Sequence, residues 1–185
     1  MNVIEFIERK FAELGDRTYG EEVTERQHAL QSAYFAEQAG AADEMVVACF
    51  LHDFGHFITG KEELIADQGI DAQHEELGAR FLSRHFRPGI VEPGRLHVAA
   101  KRYLCATDSE YLRGLSAASL QSLKLQGGPM SAEEIAQFEQ EPFWQAALEL
   151  RRFDDLGKDP DLETPPVAYY LEKLPPFLLE TAASG

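Results

Sequence analysis

Apolar side chains recur along this chain at intervals of three and four, the period of a helix with one buried face, and no convincing strand or hairpin alternation appears. Val3, Phe6, Ile7, Phe11 and Leu14 form a first stripe with Gly15 as its C′ residue. Thr24-Glu-Arg-Gln27 reads as a capping box that starts a helix carrying His28 and closing at Gly40. Asp43 is placed to cap a third helix, apolar on most sides and therefore central, which would present His52 and His56 four residues apart on one face. Asp71 can cap a helix with His74, Leu77, Gly78, Phe81 and Leu82 inward. Pro93, as a first-turn proline, would open a helix holding His97 and Lys101 at i and i+4. Ser116 starts a short helix that ends at the Gln126-Gly-Gly-Pro129 turn, and Ser131-Ala-Glu-Glu134 is a second capping box. Pro142 interrupts before a long helix that carries Arg151 and Asp154 to Gly157. From Pro160 to Pro176 the pattern is mostly extended, with room for one short helix. The expected fold is all-α, one helical bundle over residues 1–185, with 1–18 as an N-terminal helix and 160–185 as a proline-rich tail.

Composition narrows the function. A chain of 185 residues that is 44% apolar and 26% charged can bury a core without disulfides. Its longest apolar run, Met45 to Leu51, is too short to span a bilayer, and its first residues lack a secretory apolar segment. Cys49 and Cys105 read as buried free thiols, which suits a cytoplasmic protein. The net charge of −15 argues against a nucleic-acid or anionic-membrane partner. Two basic pairs therefore stand out, Lys101-Arg102 and Arg151-Arg152.

Both pairs adjoin candidate metal ligands. Burying a carboxylate beside an imidazole is costly unless a cation compensates, so His52-Asp53 inside an apolar run points to a metal. His28 and Asp154 complete a minimal set for one ion, with Asp155 as the alternative to Asp154. His74 and His97 lie on inward faces, where either alone would be an ordinary core histidine. Together they extend the set to four histidines and two aspartates, enough for two ions if one carboxylate bridges. Imidazole-rich ligation of this type suits iron, manganese, zinc or nickel better than magnesium or calcium. His56 is expected to orient a ligand or the substrate from outside the donor set, and His85 to be structural.

Four segments carry a resemblance: 43–56 (DEMVVACFLHDFGH), 97–104 (HVAAKRYL), 126–130 (QGGPM) and 151–154 (RRFD). They resemble the HD-domain mixed-valent diiron oxygenases that cleave carbon–phosphorus bonds, over roughly Tyr19 to Lys158. The resemblance implies that His28, His52, Asp53, His74, His97 and Asp154 bind two irons, Fe(II)/Fe(III), with Asp53 bridging, and it favours Asp154 over Asp155. It implies O2 as co-substrate, and a small hydroxyphosphonate held by Lys101, Ser119, Ser122, Gln126 and Arg151. It also implies that Tyr19 occupies a metal position before substrate arrives and that Glu21 contacts the substrate amine. Here that segment reads Tyr-Gly-Glu, one residue shorter than in the amino-substrate enzymes, which points toward a bulkier, trimethylated amine. The products implied are phosphate and glycine betaine, or glycine from a primary amine. A metal-dependent phosphohydrolase acting on a small phosphate ester would use the same donors and cations, and a structural metal in a binding module is a further alternative.

Overall fold

The computed structural model describes residues 2–18, 22–59 and 74–180. Among them are twelve α-helices and no strand, only the isolated bridges Thr18–Thr24 and Phe86–Leu178. Capping residues set the ends of α1 (Val3–Leu14), α2 (Glu25–Gln38), α9 (Ala117–Leu125) and α10 (Ala132–Phe138). Asn2, Thr24 and Ser131 each complete a reciprocal box with the residue three further on, and the Ser116 hydroxyl accepts from Ser119 N. Gly40 closes α2 with φ 74°, and Gly127 and Gly128 turn the chain after α9 with φ 95° and 76°.

Helix α3 (Asp43–Leu51) is the centre of the bundle: Val46 through Leu51 are each no more than 1% exposed. It packs between α2 and α6 (Pro88–Arg95), while α11 (Trp144–Leu156) crosses α2 and α7 (His97–Thr107). Phe11 stacks on Phe50 at 4.8 Å and lies 4.5 Å from Phe57, so α1 seals the central helix with aromatic rings. On the other side Tyr170 of α12 (Val167–Leu171) stacks on Phe50 at 5.5 Å, tying the tail to the same core. A smaller cluster of Leu96, Ala100, Phe138 and Ala147 fixes α10 against α7 and α11.

Local expectations fail in five places. The first corrects the placement of His52 and His56. Helix α3 ends at Leu51, and α4 (His56–Thr59) begins a new element. Between them Phe54 N, His56 N and Phe57 N donate to carbonyls three residues back, at 3.0, 3.0 and 3.1 Å. Winding this tight puts positions four apart about 120° from each other, so the two histidines do not share a face. The cause is tertiary: a Cβ on Gly55 would stand 1.9 Å from the carbonyl oxygen of His74. Only glycine lets α5 (His74–Leu82) press its first turn onto this loop, and Gly78 of α5 makes the same contact from the other side.

Proline 93 does not open the helix of His97. Pro88 opens α6 as its first residue, Pro93 lies inside it, and Leu96 separates α6 from α7, which begins at His97. Ala42, not Asp43, is the N-cap of α3, and Asp43 is its first helical residue, where its charge opposes the helix dipole. Gly15 keeps a right-handed conformation, φ −64°, so it is a C-cap rather than a left-handed C′ residue. Helix α8 (Ser109–Gly114), capped by Asp108, is too short to show a period and was not expected. Asp71 lies outside the described residues.

Candidate metal centre

Helices α2, α3, α5, α7 and α11 bring six donors to one buried point. His28 comes from the first turn of α2, His52 and Asp53 from the end of α3, His74 and His97 from the first residues of α5 and α7, and Asp154 from the last turn of α11. They sort into two triads, His28–His52–Asp154 and Asp53–His74–His97. In the first, His28 Nε2 lies 3.3 Å from His52 Nε2 and 3.3 Å from Asp154 Oδ1. In the second, His74 Nε2 lies 3.3 Å from His97 Nε2. Asp53 joins the two. Its Oδ2 stands 3.5 and 3.4 Å from His28 and His52, and its Oδ1 stands 3.3 and 3.4 Å from His74 and His97.

The residues fit two metal ions. Donors about 2.0–2.2 Å from one ion stand roughly 3–3.5 Å from each other, which is the spacing of the pairs given above, while His52 Nε2 and Asp154 Oδ2 stand wider at 3.9 Å. Asp53 Oδ1, Asp53 Oδ2 and Asp154 Oδ1 are buried without a hydrogen-bond partner, a state that a cation bound among them would relieve. The imidazoles face the centre in the ligating tautomer. His28 Nδ1 donates to Gly157 O at 2.8 Å, His52 Nδ1 to Cys49 O at 2.7 Å and His97 Nδ1 to Gly94 O at 2.6 Å. A carbonyl can only accept, so each Nδ1 carries a proton and each Nε2 turns inward, where it can ligate once it is deprotonated. Gly157 makes the first of these contacts possible, because a Cβ there would lie 3.0 Å from His28 Nδ1.

Electrostatics show how unevenly the set is balanced without ions. Burial opposes protonation of His28, but the carboxylates of Asp154 and Asp53, 3.3 and 3.5 Å away, override it and hold the imidazole at about 10. Burial pushes His97 down to about 3, and the attraction of Asp53 does not recover it. Both carboxyls stay well below the usual range despite their burial, Asp53 through His52, His28 and His74, and Asp154 chiefly through Arg151. His56 is not in either triad; its ring stacks on that of His74 at 4.1 Å. His85 packs tilted against Phe81 at 5.2 Å and belongs to neither triad.

Cations gather beside the Asp154 side. Arg151 NH1 donates to Asp154 Oδ2 at 2.7 Å, and the rest of its guanidinium grips Asp155. Asp155 is thus the holder of Arg151 and not a metal donor. Tyr111 of α8 bonds both Asp155 and Arg151. Lys101, one turn beyond His97 and 3% exposed, donates to Ser122 Oγ at 2.8 Å. Burial and the neighbouring Arg151 lower Lys101 to about 8. Ser119 Oγ accepts from Lys158 at 2.8 Å, and the side-chain oxygen of Gln126 is buried without a partner. The structure therefore connects Lys101, Ser119 and Ser122 and places Arg151 against the metal donors. Sequence reasoning missed Lys158, Tyr111 and the role of Asp155. The spacing of Asp154 and Lys158, four apart, was the one available signal for the first. Tyr19 and Glu21 lie outside the described residues.

A buried carboxylate shared between two imidazole-rich triads, at the junction of five helices, defines an all-helical protein with a cluster that could hold a dinuclear metal site. The chain belongs to the HD-domain family, whose sequence profile matches residues 26–155. It is 48% identical over 165 residues to [1-hydroxy-2-(trimethylamino)ethyl]phosphonate dioxygenase (glycine-betaine-forming) of Leisingera caerulea, covering 89% of this chain and 84% of that protein. It is 44% identical over 160 residues to hydroxymethylphosphonate dioxygenase of Gimesia maris, covering 84% of this chain and 78% of that protein. An uncharacterised protein of Acanthamoeba polyphaga mimivirus is 34% identical over 92% of this chain and 80% of its own length.

Proposed function

We propose that this chain is a diiron oxygenase that uses O2 to break the carbon–phosphorus bond of a 1-hydroxy-2-(trimethylammonio)ethylphosphonate, or of its primary-amine counterpart. The reaction consumes one O2 and one hydroxyphosphonate and yields phosphate, a proton and the carboxylate, glycine betaine or glycine. The reading is carried by one conjunction: two relatives that span most of the chain are named phosphonate dioxygenases, and two buried cations, Lys101 and Arg151, lie beside the donor set.

The six donors would hold two irons, which supply the activation of O2 and the electron transfers that no side chain can perform. The protein contributes placement and charge. Lys101 and Arg151 offset the dianionic phosphonate, and the hydroxyls of Ser119 and Ser122 and the amide of Gln126 fix its oxygens. His56, stacked on His74, keeps that ligand and the bound substrate in register. Tyr19 would guard a metal position until substrate enters, with Glu21 contacting the amine. No helix of the described residues is long and apolar enough to cross a membrane, and the two buried free cysteines suit the reducing cytoplasm.

The test is anaerobic loading with iron followed by O2-dependent phosphate release from the candidate hydroxyphosphonates. Release of one phosphate per O2 consumed is the expected result. Hydrolysis of a phosphomonoester without O2 uptake would replace this reading with a hydrolase.

A further inference from the structure

Asp155 is an acid in a place where an anion pocket has no need of one. It belongs to neither triad, yet it borders the proposed phosphonate residues: Lys158 Nζ stands 2.8 Å from Ser119 Oγ and 4.0 Å from Asp155 Oδ1. A carboxylate there repels the dianion that Lys101 and Arg151 attract. Its contacts show what it does instead. Oδ2 accepts from Arg151 Nε at 3.1 Å and from the Tyr111 hydroxyl, and Oδ1 accepts from Arg151 NH2. Tyr111 closes the triangle, because its oxygen also accepts from Arg151 Nε, at 3.1 Å. Helix α8, which carries Tyr111, contributes no buried residue to the core, so core packing does not account for this contact.

The grip runs along one edge of the guanidinium. Asp155 takes Nε and NH2, while NH1 donates to Asp154 Oδ2 at 2.7 Å. A guanidinium has five N–H donors, and these contacts with the described residues use three. One N–H on NH1 and one on NH2 remain. A planar group held bidentately along one edge cannot turn about its stem, so those two donors keep a fixed aim. We propose that Asp155 and Tyr111 are positioning residues that hold Arg151 with two N–H groups presented to the phosphonate, and thereby set the affinity for substrate. This rests on the phosphonate reading above. Simple electrostatics predicts the opposite sign. Were Asp155 only a charge near the pocket, Asp155→Asn would tighten anion binding, and Tyr111→Phe, which changes no charge, would do nothing.

The experiment compares iron-loaded wild type, Asp155→Asn, Asp155→Glu, Tyr111→Phe, Arg151→Lys and the double variant Tyr111→Phe/Arg151→Lys. Kd for 1-hydroxy-2-(trimethylammonio)ethylphosphonate is measured by calorimetry without O2, and KM and kcat by phosphate release with O2, alongside iron content and thermal unfolding. Asp155→Asn should raise Kd and KM about tenfold and Tyr111→Phe about threefold, with kcat within about twofold and iron content unchanged. Asp155→Glu, which keeps the carboxylate, should recover part of the loss. Tyr111→Phe keeps the ring and carries the test if Asp155→Asn fails to fold. A lysine at 151 offers no edge to grip, so adding Tyr111→Phe to Arg151→Lys should weaken binding no further. Unchanged or tighter binding by the single variants, or additive losses in the double one, would overturn the positioning role while leaving the oxygenase standing. So would a lower melting temperature with affinity intact. Wild type that neither binds nor turns over the hydroxyphosphonate would instead remove the phosphonate reading and this inference with it.

Discussion

The two metal triads are built from the same chemistry but not with the same rigidity. His28, His52 and Asp154 are at most 3% exposed, and every one of them is fixed by a second contact: Gly157 O, Cys49 O and the Arg151 guanidinium. In the other triad, His97 is tied to Gly94 O, but the side chain of His74 is 13% exposed and meets Glu75 only at 3.6 Å. One triad is locked into the crossing of α2, α3 and α11. The other is completed by the first residue of α5, a helix seated through a Gly55–Gly78 backbone contact. A closed half that holds its ion and a looser half that can admit ligands is a division of labour expected of a catalytic pair.

The sharpest way to break the contrast is to remove what the triads share. Asp53→Ala should take metal content from about two ions per chain to below one and abolish activity, because both carboxylate oxygens are lost at once. Metal analysis alongside circular dichroism checks it; a variant that retains two ions would end the bridging assignment.

Next come the histidines that distinguish the halves. His28→Ala opens a cavity in the core and strands Asp154 and Asp53 as buried charges, a loss of about 3–5 kcal/mol in the metal-free protein. His74→Ala, at the looser half, should keep its helicity, lose one ion and cost no more than about 1–2 kcal/mol. Thermal or urea unfolding of both variants decides the order, and equal losses would erase the distinction.

Arg151 and Lys101 separate the halves through the substrate. Neutralising Lys101 should weaken phosphonate binding by about 2–5 kcal/mol with both ions retained. Arg151→Ala should do the same and also loosen the ion of the closed triad, since it frees Asp154 Oδ2. Because Lys101 is charged only below about 8, kcat/KM should decline as pH rises through that value, and Lys101→Arg should move the decline upward.

The smallest effect is in protons. Without metal, His28 keeps its proton to about 10, above the 6.5 of a free imidazole. The raised value stabilises the metal-free fold fully below pH 6.5, and that contribution disappears as pH rises through about 10. His97, held at about 3, is already neutral. Loading the closed triad at pH 7 should therefore release a proton from His28, measurable by calorimetry in buffers of different ionisation enthalpy, and His28→Gln should reduce that release to what His52, also shifted upward by Asp53 against its burial, contributes.

What the sequence alone determined follows from local energetics and from chemistry that is expensive to bury. The reciprocal caps at Thr24–Gln27 and Ser131–Glu134 close within one turn, so they are legible without knowing what the helix meets. The six candidate residues were legible because histidine beside aspartate in an apolar run is costly without a cation, and their side chains do converge. Tertiary structure decided the rest. Nothing in the spacing of His52 and His56 reveals that the chain tightens after Leu51, because the cause is the backbone of a helix that begins at His74. Nor could spacing divide the six donors into triads or give Asp155 to Arg151. Those pairings depend on how α11 crosses α2 and α7, and a helical period fixes which face a residue is on but not what that face meets. Glu25 carries the same lesson: on the sequence it is one more acid in a first turn, and only the packing of α2 leaves its Oε2 buried without a hydrogen-bond partner.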